Sequence, residues 1–284
     1  MGQVLMNGLY SGVQYALIAL GLTLIFSLMN VMNFAHGQFY VLGGFVTYYV
    51  YKEMNLPFPV ALVAVCLTLA AVGVLFDLLF FRRVLARSMR DESTMLLANG
   101  TALLLDSLCI ILFGEKHRGV PPVVTGVWQP MEGVFMPKAR LLVIAISAAL
   151  IVAFILFMKF TRQGRGLRAM AQDKDAAKLM GVNVTRYSML GWAIAAMLAG
   201  LAGAMIASVS GVNAGIGTRT SMLAFMMVMI GGAGVISGAI VGGFILGVME
   251  SVGASLLPGS QYFAIFLALI VFLAIRPRGL LGRQ

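Results

Sequence analysis

A chain of 284 residues that is 61% apolar and only 11% charged has too few ionisable side chains to coat a water-facing domain, so its composition excludes an ordinary soluble fold. Lys and Arg outnumber Asp and Glu by 20 to 10, a formal charge of +10. The excess collects in short stretches between apolar runs, which is the positive-inside pattern of a multi-pass protein in contact with lipid and argues against nucleic acid as a partner.

A hydrocarbon core about 30 Å thick needs roughly 20 apolar residues per helix. In chain order, the runs that approach this length are Gly8–Met29, Phe34–Tyr51, Phe58–Phe81, Thr94–Phe113, Arg140–Phe160, Ser188–Ser210, Val235–Leu256 and the shorter Gln261–Ile275. A ninth, Ala214–Ile230, is weakened by Arg219. The expected fold is all-α: one transmembrane domain over residues 1–284, a polytopic helix bundle of about eight or nine segments including interrupted helices.

Basic residues cluster at Arg82, Arg83, Arg87 and Arg90, from Lys159 to Arg186, and at Arg276, Arg278 and Arg283. With all three clusters in the cytoplasm, an even number of crossings must separate Arg186 from Arg276. Ala214–Ile230 therefore crosses, unless a neighbour enters and returns. The same parity puts the N-terminus outside. Its first residues, Met-Gly-Gln-Val-Leu-Met-Asn, lack the basic n-region of a signal peptide and are expected to be mature sequence. Cys66 and Cys109 fall inside apolar runs, giving neither a disulfide framework nor a CxxC metal site.

Two interruptions carry no Lys or Arg: Met29 to Gln38, and Gly231-Gly232-Ala233-Gly234. Irregular backbone at membrane depth is tolerated only when buried in protein or lining a water-filled cavity. Each interruption is followed by a helix, a Pro-containing loop (Leu56-Pro57 or Leu257-Pro258), a helix and a basic tail, a pattern that reads either as a degenerate repeat or as two chance kinks. Asn30, Asn33, His36 and Gln38, with Gly231, Gly232 and Gly234, are the candidate substrate path. The alternative is that the polar side chains only satisfy backbone groups freed by the helix break. His36 has no ligand partner at metal spacing. Small residues recur every four positions at Ala195, Ala199, Gly203, Ala207 and Gly211, and again at Ala239, Gly243, Gly247 and Ser251, which predicts two closely packed helices. Asp106 is expected to join a structural hydrogen-bond network, Asp77 to mark the interface near Arg82, and Glu250 to snorkel or meet a loop partner.

Between Lys159 and Arg186, seven basic and two acidic residues accompany an amphipathic stretch that is expected to form one short helix ended by Gly181. Asp175-Ala176-Ala177 followed by Gly181 resembles the Glu-Ala-Ala then Gly coupling motif of ABC-importer permeases, with Asp in place of Glu. Asn33 to Gly44, Gly166 to Gly181, Ile230 to Gly242 and Arg276 to Gly282 together resemble the branched-chain amino-acid (LivH-type) permease family. The resemblance implies a bacterial inner-membrane permease that works with a second, similar membrane subunit, two cytoplasmic ATP-binding subunits and an extracytoplasmic substrate-binding protein. It places the coupling loop at about 161–187, with Arg168, Gln172, Asp173, Asp175, Ala176, Ala177 and Gly181 contacting an ATPase. The chain has no GxxxxGK[ST] loop, so no cofactor is expected in it and ATP falls to the partners. Without HExxH, GxSxG, paired carboxylates or a Cys–His pair, an enzyme is not expected. Urea, short amides, aromatic acids or sugars remain alternative substrates, and an ATP-independent channel or secondary transporter is the rival of another class.

Overall fold

The computed structural model describes residues 1–30, 33–82, 91–131, 133–256, 259, 261–277 and 279–282. Val31 and Met32 of the first interruption, Arg83, Arg87 and Arg90, the Leu257-Pro258 loop, and Arg278 and Arg283 lie outside the described residues.

The central element is α1 (Gly2–Met29), 28 residues and about 42 Å long, with every residue from Gly12 to Ile25 buried. A helix apolar all round has no solvent-facing stripe, and this one is enclosed by its neighbours. It ends at Asn30, which adopts a left-handed conformation (φ 53°) and donates its N–H to the Phe26 carbonyl at 2.8 Å. Next come α2 (His36–Thr47) with a π-helical turn over Tyr48–Glu53, α3 (Phe58–Phe76) with a second over Asp77–Phe81, and α4 (Asp91–Phe113). A small hairpin, β1 (Val127–Met131) antiparallel to β2 (Val134–Pro137), precedes α5 (Lys138–Phe160). The rest is α6 (Arg162–Gln172), α7 (Lys174–Leu179), α8 (Val184–Ser210), α9 (Ile216–Gly231), α10 (Ile236–Leu256) and α11 (Gln261–Ile275).

Among the described residues, six helices are long and apolar enough to cross a bilayer: α1, α3 with its π turn, α4 from Leu96, α5, α8 and α10. The shorter α2, α9 and α11 complete an all-α polytopic bundle with interrupted helices. The hairpin is the departure from the expected pattern. It is too short to leave a period-two signal in sequence, turns at Gly133 (φ 81°), and is tied to α1 where the Phe135 N–H donates to Gln3 Oε1 at 2.9 Å.

Both small-residue stripes are packed as their spacing predicts. Along the antiparallel pair α1–α10, Gly8 and Gly12 meet the backbone of Val248 and Phe244, where an added Cβ would lie 3.2 and 3.1 Å from their Cα atoms. Gly243 and Gly247 in turn abut Ala16 and Gly12, and Ser251 Oγ donates to the Val4 carbonyl at 2.6 Å. On α8, Gly203 lies on the Tyr40 carbonyl, Gly200 faces Gly43 of α2, and the Ala195 carbonyl lies on Gly21 of α1. Lipid tails supply no hydrophobic drive between helices, so this close van der Waals packing is what holds them together.

The first interruption finds its structural counterpart at 211–215. Asn33-Phe34-Ala35-His36-Gly37 and Asn213-Ala214-Gly215-Ile216-Gly217 share the pattern Asn-x-small-x-Gly. In both, the Asn side chain accepts from the backbone two residues on, at 3.0 Å from Ala35 N and 2.7 Å from Gly215 N. Gly37 and Gly217 pack directly against each other, and Ser221 Oγ accepts from Gly37 N at 2.8 Å while donating to the Phe34 carbonyl at 2.7 Å. α1 runs towards the end that carries the basic loops and α2 climbs back from half-way. α8 climbs from the basic end and α9 descends from half-way. This is an inverted pair of interrupted helices. The Gly231–Gly234 segment instead turns at the basic end, held by Leu280 N and Leu281 N donating to the Ile230 and Gly231 carbonyls at 2.9 and 3.0 Å.

Candidate translocation path and coupling surface

Three of the four polar residues expected on the path are fully enclosed: Asn33, His36 and Gln38 are at most 1% exposed. Asn33 closes the turn described above. His36 Nε2 lies 3.0 Å from the Ile18 carbonyl, half-way along α1, and Gln38 Nε2 donates to Asp106 Oδ1 at 2.6 Å. Each also keeps a buried polar atom without a protein partner, namely Asn33 Nδ2, His36 Nδ1 and Gln38 Oε1. In this conformation His36 ties α2 to α1 and Gln38 ties it to α4, and none of the three lines the basic-end cavity or the cavity beside Glu250.

Asn30 and Gly234 come together at the basic end. They line a cavity of about 640 Å³ with Phe26, Ser27, Arg168 and Gln172, so one break residue from each interruption shares a wall with two residues of the expected coupling loop. Gly231 and Gly232 are buried beside it, and Gly232 (φ 105°) sits against the Leu281–Gly282 backbone.

The loop itself forms two helices instead of one. Asp173 breaks it, taking an extended conformation and accepting from the N–H groups of Asp175 and Ala176, both at 2.9 Å, as the N-cap of α7. The first turn of α7 would otherwise leave those donors unpaired. On α6, Gly164, Gly166, Leu167 and Met170 face inward. Gly164 meets the backbone of Phe157 and Met158, and Gly166 meets the Tyr187 ring, so the helix is fastened to α5 and α8. Arg168, Gln172, Asp173, Asp175, Ala176 and Gly181 are exposed, whereas Ala177 is buried. Beyond them project Leu179 and Met180, 89% and 85% exposed. Gly181 (φ 85°) closes this tip as expected.

Of the three intramembrane carboxylates, Asp106 makes the network bond to Gln38. Asp77 is more enclosed than its nearness to Arg82 implies: it is 2% exposed and accepts from Ser188 Oγ of α8 at 2.8 Å. Glu250 accepts from Tyr15 Oη of α1 at 2.8 Å. It lines a second cavity of about 270 Å³ whose wall also carries Arg219, a residue that in sequence only weakened a span. This cavity adjoins a third, near the α1 N-terminus, with which it shares Tyr10, Ser11 and Glu250. Between Ile18, at the floor of the second cavity, and Phe26, at the roof of the basic-end cavity, α1 is buried throughout. The two spaces are separated by about 12 Å of packed helix.

A lipid-embedded bundle with cavities reaching in from both ends, a closed middle and an exposed polar appendage fastened to the central helices defines a multi-pass membrane permease. The profile described as branched-chain amino acid transport system / permease component matches residues 4–275, and the chain belongs to that family. It is 31% identical to the high-affinity branched-chain amino acid transport system permease protein BraD of Pseudomonas aeruginosa, over 99% of this chain and 95% of that one. It is 28% identical to LivH of Escherichia coli, with the same coverage, and 26% identical to the ribose import permease protein RbsC of Escherichia coli, over 92% of this chain and 80% of that one.

Proposed function

We propose that this chain is the membrane-spanning permease subunit of an ATP-driven ABC importer in the bacterial inner membrane, carrying branched-chain or related amino acids delivered by an extracytoplasmic binding protein. It works with a second, homologous permease subunit and two cytoplasmic ATPases, which hold the ATP. The observation that carries this reading is the α6–α7 appendage. One face is locked to α5 and α8 through Gly164 and Gly166, and the other presents Arg168, Gln172, Asp173, Asp175 and the bare apolar tip Leu179-Met180. An apolar knob ringed by charge on a basic loop fits a protein partner.

In this mechanism, ATP binding draws the two ATPases together and pulls the docked appendages. The force passes through α6 to α8 and α1, which separate the outer cavity from the inner one. The closed middle, where Asn33, His36 and Gln38 each hold an unpartnered polar atom, then opens towards one side at a time. Rehydration or contact with the solute satisfies those atoms when it does. The driving force is the differential affinity of the ATPases for the two conformations. The identities with BraD and LivH support amino acids over the sugar of the more distant RbsC.

The test is charge reversal across Gln172 to Asp175 in the reconstituted complex. Such variants should assemble and hydrolyse ATP but lose leucine uptake. Normal uptake would remove the coupling role.

A further inference from the structure

Resting on the coupling role proposed above, we infer that Lys174, the first residue of α7, is a two-position latch: it rests on Met29 of α1 in this conformation and moves onto the Asp77 carboxylate, on the π turn that continues α3, when the ATPases close. A cavity of about 150 Å³ at the basic end lies between the two positions. Its wall carries Met29, Asp77, Arg82, Lys174 and Ser188, so α1, the end of α3, α7 and α8 meet on one small space.

Neither charge has its best partner here. Asp77 is 2% exposed, and among the described residues its one side-chain hydrogen bond is the 2.8 Å bond from Ser188 Oγ, although a carboxylate has room for about four. Lys174 is half-buried, and its ammonium lies 3.7 Å from the Met29 sulfur, a weak acceptor. Lys174 and Arg82 are both within electrostatic reach of Asp77, and the attraction is stronger at this buried site than it would be in water. Arg82 directly follows the π turn that holds Asp77 and travels with it. Lys174 belongs to the appendage instead, and its flexible four-carbon stem can cross a void of this size. Moving the ammonium frees the last turn of α1, next to Asn30 on the wall of the basic-end cavity. It also ties α7 to α3 and α8, which Asp77 and Ser188 already join. A pair made in one conformation only favours that conformation by its own strength.

The experiment uses the full complex, free or trapped with ATP and vanadate. Lysines are acetylated briefly and the extent at Lys174 is read by mass spectrometry. Trapping should slow the labelling of Lys174 by about tenfold, the low end for a charge-assisted hydrogen bond because the group is half-exposed. Asp77→Asn, which keeps an oxygen for Ser188, should abolish the slowing. Equal slowing in Asp77→Asn would mean that the ATPase merely covers the lysine, and would overturn the latch, as would no slowing in the wild type. In vesicles, Asp77→Asn and Lys174→Gln should each reduce the stimulation of ATP hydrolysis by loaded binding protein, and the double variant should lose no more than the worse single one. Losses that multiply would make the two residues independent and remove the pair. Should Asp77→Asn fail to assemble, Lys174→Gln is compared with Lys174→Arg, which keeps the charge; an Arg variant as poor as the Gln variant also overturns the latch. ATP-driven uptake with unaltered single variants sinks the latch alone, whereas wild-type uptake indifferent to ATP removes the coupling reading and the latch with it.

Discussion

Replacing Asp173 with Ala isolates one structural device on the coupling surface. α7 has six residues, under two turns, a length that does not hold as helix without help. Its help is the Asp173 carboxylate, which accepts two backbone N–H groups at 2.9 Å, and the burial of Ala177. Losing an N-cap costs about 0.5–2 kcal/mol, and with two donors involved the upper half of that range applies. About 1–2 kcal/mol on so small an element shifts its folded fraction roughly five- to thirtyfold, enough to leave Leu179 and Met180 unplaced for most of the time. The assay is ATP hydrolysis stimulated by loaded binding protein, measured beside uptake in the same vesicles. D173A should keep basal hydrolysis and lose most of the stimulation, while D173N and D173S, which retain a capping oxygen, should recover it. Wild-type coupling in D173A, or a D173N as poor as D173A, would refute the capping argument, the latter by making charge the cause.

Leu179→Glu with Met180→Glu should release the ATPases on size-exclusion chromatography while the permease retains its thermal unfolding midpoint, since both side chains are almost wholly exposed. Gly37→Ala should lower that midpoint, because its methyl group meets the Gly217 carbonyl; overpacking costs about 1–3 kcal/mol. Gly100→Ala, with nothing within 4 Å, should be neutral or slightly stabilising on the same measurement. Ser188→Ala strips the buried Asp77 of its hydroxyl partner and should cost about 1–3 kcal/mol by denaturant titration, with Ser188→Thr recovering part of it.

Much of the bundle was legible because lipid imposes few rules and the chain obeys them: long apolar runs, basic loops, and small residues at spacing four where backbones touch. The first interruption was also visible, since Asn, His and Gln without Lys or Arg do not make an ordinary loop. Its partner at 211–215 was missed because Asn213-Ala214-Gly215 is short and reads as the edge of a span, while the Asn side-chain turn that unites the two sites has no periodicity. Asp173 stands in the sequence as a coupling residue within one amphipathic helix; only its extended backbone makes it a cap. Glu250 and Arg219 lie on different helices, and nothing in the linear order pairs them. It takes the packing of α9 and α10 against α1 to set them on one cavity.

The central claim is that this chain moves solute only when an ATP-driven partner works its appendage. Leucine uptake should therefore be measured in vesicles holding either the complete complex or this polypeptide alone, with and without ATP inside. Uptake confined to the complete complex with ATP is the predicted result; leucine accumulation by the lone polypeptide, or at equal rates without nucleotide, would contradict it.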